Sequence, residues 1–308
     1  MRIVTILLAG LLANSAFAQE PLRVKVSLVS VTFSVRDVGG ALQENLTKDD
    51  FNLLEDAVPQ NIAFFARSAD LPLTLGLIVD ISGSQDRFSK QHQHDLEVFL
   101  KELLGAQDRV FLICFGNHLR LASDFTNDPS QILFGIKGCE HRPQDFPELG
   151  PKEDRKLGTA FYDSIYYAIT EKMASAENGR RALLLFSDGE DNSSSHDMMT
   201  TIEAAQSENV PVFAIRYTEK EHGKLTARNE YGISVMGRIA KETGGAEFDA
   251  EAMDPHIYFR LIGEELRSSY ELGYYPTTPA ADDTFRKVAV RPKQPGLTVR
   301  SKTGYFPR

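Results

Sequence analysis

Three short stretches of the chain gather oxygen-bearing side chains at spacings that suit a metal ion. Asp80-Ile81-Ser82-Gly83-Ser84 ends one apolar run, Gly158-Thr159-Ala160-Phe161-Tyr162-Asp163 leads into a helical stretch, and Ser187-Asp188-Gly189-Glu190-Asp191-Asn192 ends the apolar run Ala182 to Phe186. In an extended loop, Asp-x-Ser-x-Ser puts Asp80, Ser82 and Ser84 on one side. Thr159 then adds a hydroxyl and Asp188 a second carboxylate from neighbouring loops. Such an all-oxygen set suits Mg²⁺, Mn²⁺ or Ca²⁺, whereas zinc or copper would ask for imidazole or thiolate. With two carboxylates among five donors, several positions of a divalent ion are left to water. An open position on such an ion attracts one more carboxylate, from another molecule. Taken alone, Asp-x-Ser-x-Ser is an ordinary loop pattern, and Ser84 is also placed to cap a helix starting near Asp86. The ordered set of three segments, each at a strand end or helix start, favours the metal.

Other reactive residue types carry less. Glu190 and Asp191 read as a solvated acidic rim that does not ligate the ion. His92 and His94 stand at i and i+2 of a helical stretch and point to different sides, so they read as helix surface and not as a shared ligand pair. The remaining histidines are scattered, and none stands in a nucleophile or general-base motif. Tyr270, Tyr274 and Tyr275 read as strand aromatics that pack a core. Gly244-Gly245 reads as a helix stop.

The metal loops need a scaffold, and the middle of the chain supplies one. Leu71 to Val79, Val110 to Phe115, Ala182 to Phe186 and Val210 to Ile215 are nearly continuous apolar runs of strand length, as expected of strands covered on both faces. Between them lie helical stretches. Leu96, Phe99, Leu100, Leu103 and Leu104 follow i, i+3, i+4, i+7, i+8; Ile165, Ile169 and Met173 keep an i, i+4, i+8 row; Ile257 and Leu261 open a last helix over about 255–268. Strands alternating with helices predict a mostly parallel, doubly wound α/β sheet, whose ligands bind beyond the carboxyl ends of the strands.

The two ends of the chain alternate with period two instead. Val24, Val26 and Leu28 change phase to Val29, Val31, Phe33 and Val35, which predicts one long strand with a bulge at 28–29. Short strands follow at Phe51 to Leu54 and Ile62 to Ala66. Tyr270, Leu272 and Tyr274, then Val288 and Val290, then Leu297 and Val299 alternate near the far end. A few strands cannot bury a two-sided sheet alone. We therefore expect residues 19–70 and 267–308 to form the two halves of one small antiparallel β-sandwich, with residues 71–266 inserted as the α/β domain. Residues 1–18 read as an export signal: Met1-Arg2, an apolar run from Ile3 to Leu12, and Ala16-Phe17-Ala18 as cleavage site. That run is too short to span a bilayer, and no later segment is long and apolar enough. The expected location is periplasmic or secreted.

Composition narrows the classes further. The 308 residues hold 43 acidic and 34 basic side chains, a net charge of -9, which disfavours a nucleic-acid binder. Two cysteines cannot build a disulfide framework or a Cys-rich metal site. Cys114 lies in a strand run, and Cys139 is expected in a loop after a helix, both as free thiols.

Asp80-x-Ser82-x-Ser84, Thr159 and Asp188 resemble the metal-ion-dependent adhesion site of von Willebrand factor type A domains, over roughly residues 72–265. Val31 to Val35, Asp50-Phe51, Glu55-Asp56, Phe125-Thr126, Gly179 to Leu183, Thr243-Gly244-Gly245, Leu266 to Tyr275 and Gly304-Tyr305 are similar to the bacterial VWFA-related (Acidobacterial-type) domain family, over nearly the whole mature chain. Ala57 departs from that family's Gly, and a left-handed turn there would be strained. The resemblance implies an exported, non-enzymatic module that captures an acidic residue of a partner protein through a bound divalent cation. A Mg²⁺-dependent hydrolase or phosphotransferase and a purely structural envelope protein are the alternatives. A phospho-aspartyl enzyme would be expected to carry a carboxylate where Ser82 stands.

Overall fold

A computed structural model describes residues 28–67, 71–151, 158–176, 179–220, 222–278 and 284–307. The proposed export signal and the start of the first strand at Val24 and Val26 lie outside the described residues.

The central unit is an α/β sheet of six strands: β5 (Leu73–Asp80), β6 (Arg109–Phe115), β7 (Leu119–Thr126), β8 (Arg180–Ser187), β9 (Val212–Arg216) and β10 (Glu247–Asp249), in the order β10-β9-β8-β5-β6-β7. All pairings are parallel except β6 with β7. Helices α1 (Ser89–Leu103), α2 (Pro129–His141) and α6 (Pro255–Arg267) cover one face, and α3 (Phe161–Tyr167), α4 (Met198–Ser207) and α5 (Ala227–Thr243) the other. This is why the strand runs are apolar throughout: every residue of β5 is buried, with Leu75, Leu77 and Val79 in one core and Ile78 in the other. Gly76 has no room for a side chain, because a Cβ there would lie 2.4 Å from the Phe111 ring. From β5 the chain steps to β6 on one side, and from β8 to β9 on the other, so the strand order reverses between β5 and β8. A crevice opens at the carboxyl ends of those two strands.

Both chain ends build the sandwich. One sheet runs β13 (Thr298–Ser301), β1 (Val29–Arg36), β11 (Tyr270–Tyr274), β4 (Ile62–Arg67); the other runs β14 (Gly304–Tyr305), β12 (Arg286–Pro292), β2 (Phe51–Glu55), β3 (Val58–Gln60). Val31 faces Leu272 across β1 and β11, and Val35 faces Val299 across β1 and β13. Their apolar faces form a third core with Phe33, Phe51 and Tyr270. Inside it Glu55 is buried at 3% exposure, yet accepts hydrogen bonds from Tyr274 Oη (2.7 Å), Tyr305 Oη (2.9 Å) and the Arg286 guanidinium (2.9 Å). The two units meet through paired groups. Asn209 exchanges hydrogen bonds with the Thr32 backbone and hydroxyl, and buried Glu265 of α6 accepts from Ser34, Arg36 and Arg300.

Several local expectations change. Cys139 lies within α2 and is buried, because the helix continues two residues past it to His141. His92 is not helix surface but 2% exposed, edge-on to Tyr217 at 4.3 Å, and burial lowers its pKa to about 3. His94 is exposed. Strands β3 and β7 were not expected. β3 carries Pro59 and survives because it is an edge strand, while β7 has an irregular burial pattern and shifts register against β6. Tyr275 is exposed, unlike core Tyr270 and Tyr274. Asp56 and Ala57 both take positive φ (48° and 68°) in the β2–β3 hairpin, the conformation of a type I′ turn, so the strain expected at Ala57 is present.

Candidate metal centre

The site grows out of strand register. Val79 of β5 pairs with Phe186 of β8, so Asp80 and Ser187 emerge side by side at the carboxyl edge. The Ser187 hydroxyl donates to Asp80 Oδ2 at 2.6 Å, and the Ser82 backbone N–H donates to Asp80 Oδ1 at 2.9 Å, the short turn that Asp-x-Ser favours. The hydroxyls of Ser82 and Ser84 lie 3.2 Å apart. Asp188 accepts from Gln85 Nε2 at 2.8 Å and from the Glu190 N–H at 3.1 Å. Asp80 is fully buried and Asp188 nearly so, while Ser84 is exposed and marks the open side.

Thr159 arrives from a third loop. Its N–H donates to Asn192 Oδ1 at 2.7 Å, and its carbonyl accepts from the N–H groups of Asn192 and Ser193, which ties it to the Asp188 loop. Ala160 N–H donates to Gly116 O at 2.7 Å, and a Cβ on Gly116 would sit 3.8 Å from Ser82 Cα, so the same segment abuts the Asp80 loop. Among the described residues the Thr159 hydroxyl has no hydrogen-bond partner. The structure thus links Asp80, Ser82 and Ser84 directly, holds Asp188 to the same loop through Gln85, and brings Thr159 beside them through backbone contacts.

Electrostatics tests whether these residues fit a cation. Burial, and then the charge of Asp188, raise the Asp80 pKa to about 7, against the pull of its hydrogen bonds from Ser187 and Ser82. No Lys, Arg or His among the described residues pairs with Asp80 or Asp188. The buried amide oxygen of Gln85 is also left without a donor beside them. Two buried carboxylates within electrostatic reach of each other, with neutral donors only, form a site that a divalent cation would complete. Among the described residues no three His, Cys, Asp or Glu side chains cluster as metal ligands. The donor set therefore relies on hydroxyls, which matches a hard ion.

Supporting residues escaped the sequence. Ser187 and Gln85 orient the two carboxylates, although only their places beside Asp188 and Ser84 hinted at it. Glu190 and Asp191 are not a solvated rim. Glu190 is 8% exposed and pairs with Arg228 at 2.6 Å, and burial followed by the Asp188 charge raises its pKa. Asp191 accepts the Phe161 N–H at 2.9 Å at the start of α3. The Asp188 loop itself rests on α5. A Cβ on Gly232 would lie 2.2 Å from Asp188 O, so only glycine permits this seat.

The central unit thus has a von Willebrand factor type A-like fold: a doubly wound sheet with one antiparallel edge strand, and oxygen-bearing loops at its switch point. No family model matches the chain, and no curated protein does. Solved structures similar to it include an aerotolerance-related membrane protein from Bacteroides fragilis (17% identity, 63% of this chain and 98% of that one, TM-score 0.48). A von Willebrand factor type A structure from Catenulispora acidiphila is similar over 92% of this chain and 74% of that one, at 12% identity and TM-score 0.47. Proximal thread matrix protein 1 from the mussel byssus, with a zinc-occupied MIDAS motif, is similar at 14% identity over 64% of this chain, with TM-score 0.45; the match spans 48% of that protein.

Proposed function

We propose that this is an exported adhesion-type protein in which Asp80, Ser82, Ser84, Thr159 and Asp188 hold Mg²⁺, Mn²⁺ or Ca²⁺ and present it to an acidic side chain of a protein partner. The observation that carries this is the pair of buried carboxylates, Asp80 and Asp188, left without a cationic side chain in a crevice whose Ser84 edge is open. When bound, the ion supplies an electrophilic position for the partner's carboxylate. Ser187 and Gln85 fix the carboxylates in place, and the neutral hydroxyls of Ser82, Ser84 and Thr159 would add donors without adding negative charge that repels the partner's carboxylate. We assign the chain no catalytic role. Export rests on the leader-like residues 1–18; among the described residues no helix is long and apolar enough to cross a membrane.

The test is an array of peptides that each carry a central Glu, printed beside copies with Gln, probed with the protein in Mg²⁺ and in EDTA. Binding is expected to favour Glu copies, to vanish in EDTA, and to vanish in Asp80→Ala with the fold intact by circular dichroism. Capture that persists in EDTA contradicts the proposal. Mg²⁺-dependent turnover of a phosphate or ester panel, lost in the same variant, would replace it with an enzyme.

A further inference from the structure

At the end of the central unit away from the metal loops, where β10 begins, a cavity of about 590 Å³ lies between α5 and the sandwich. Its sandwich wall consists of consecutive residues, 287–290 of β12 and 298–303 of β13 and its continuation. Side chains alternate along a strand, so a cleft touching one face would meet every second residue. Consecutive lining means that strand edges open into it. The edge of β12 is already taken at Arg286 and Lys287 by β14 and at Val288, whose N–H donates to Thr303 O at 2.9 Å, whereas β13 is an edge strand bonded only to β1. An unpaired edge of this kind is a template for a further strand.

The charge around this edge is opposite to that of the whole chain. Arg36, Lys241, Lys287 and Arg300 line the cleft in a protein of net charge -9. The lining acid Glu247 is already paired with Arg216 at 2.7 Å, and Glu265, outside the lining, is shared by Arg36 (3.2 Å) and Arg300 (2.6 Å). Lys241 and Lys287 are exposed and have no carboxylate partner among the described residues. Strand register separates the two kinds of side chain. Val299 points with Val35 into the sandwich core, while Thr298 and Arg300 point with Ser34 and Arg36 to the other face.

We propose that this cleft takes up an extended acidic segment of a partner protein as an added strand on β13. Alternate apolar side chains of the segment continue the face of Val299, and its acidic ones meet Arg36, Arg300, Lys241 and Lys287. This site is separate from the metal loops, so binding proceeds in EDTA and does not depend on the adhesion role.

The probe is the blocked peptide acetyl-(Val-Glu)4-amide, titrated calorimetrically into the protein in EDTA at low salt. It is expected to bind, while the (Val-Lys)4 counterpart does not. The double charge reversal Lys241→Glu with Lys287→Glu, at exposed positions that leave the fold unchanged, is expected to weaken it at least tenfold. Two versions of the peptide, N-methylated on either alternate set of residues, separate strand addition from plain attraction, since only one set of N–H groups faces β13. One version is expected to lose binding and the other to keep it. No binding of the parent peptide, equal binding of both methylated versions, or no effect of the charge reversal would overturn the proposal.

Discussion

Two buried carboxylate clusters in this molecule have opposite endings. In the sandwich, Glu55 is surrounded by Arg286, Tyr274 and Tyr305, so its charge is neutralised and its oxygens are saturated by the protein. At the switch point of the α/β sheet, Asp80 and Asp188 are equally buried, yet receive only hydroxyl, amide and backbone donors. Burial of an ionised carboxylate costs several kcal/mol unless a counter-charge accompanies it. The sandwich carries its own counter-charge, whereas in the crevice, on the proposed reading, an ion from solution would supply it. Equal burial thus separates a structural cluster from a candidate site only when partners are counted.

The largest effect should come from breaking the closed cluster. Glu55→Gln leaves the Arg286 guanidinium buried without its carboxylate, and is expected to destabilise the protein by about 3–5 kcal/mol in chemical denaturation, equally in Mg²⁺ and in EDTA. The open cluster should respond with the opposite sign. Asp80→Asn removes one of two neighbouring buried charges and is expected to stabilise the metal-free protein by on the order of 1 kcal/mol. The same variant should lose the gain of about 3 kcal/mol that an ion at a hundredfold excess over its Kd gives the unsubstituted chain. Matching signs for the two variants in EDTA would erase the contrast.

Lys302, buried where the sandwich meets α4, extends the comparison to a cation. Its ammonium donates to Gln206 O at 2.8 Å, and burial lowers its pKa to about 7. An unfolded lysine titrates near 10.5, so between about pH 7 and 10.5 the unfolded chain binds the extra proton, and stability should rise with pH through that window. Thermal melts of the protein and of Lys302→Met in EDTA check this, since the variant should lose the slope. The smallest effect belongs to Ala57→Gly, which relieves the positive-φ turn and is expected to stabilise by about 0.5–1 kcal/mol without touching the metal loops.

Short-range chemistry was legible in the sequence and long-range partnership was not. Asp80, Ser82 and Ser84 could be read together because they share one loop, and the apolar runs fixed which strands end beside it. Glu190 reads as solvated because its partner Arg228 stands far along the chain on α5, and His92 reads as surface because the aromatic wall that buries it comes from Tyr217 and Phe186. Strand β7 was missed for a local reason: its buried residues do not alternate, so no period announces it. Pro59 argued against β3, and only its place at a sheet edge makes a strand tolerable there.

The most direct test of the central claim is Mn²⁺ binding followed by electron paramagnetic resonance at pH 8 on the unsubstituted chain and on Asp188→Asn. A single saturable site that Mg²⁺ competes away, absent from Asp188→Asn while its circular dichroism stays unchanged, is the predicted result. Equal Mn²⁺ binding by both proteins, or none by either, would contradict the account.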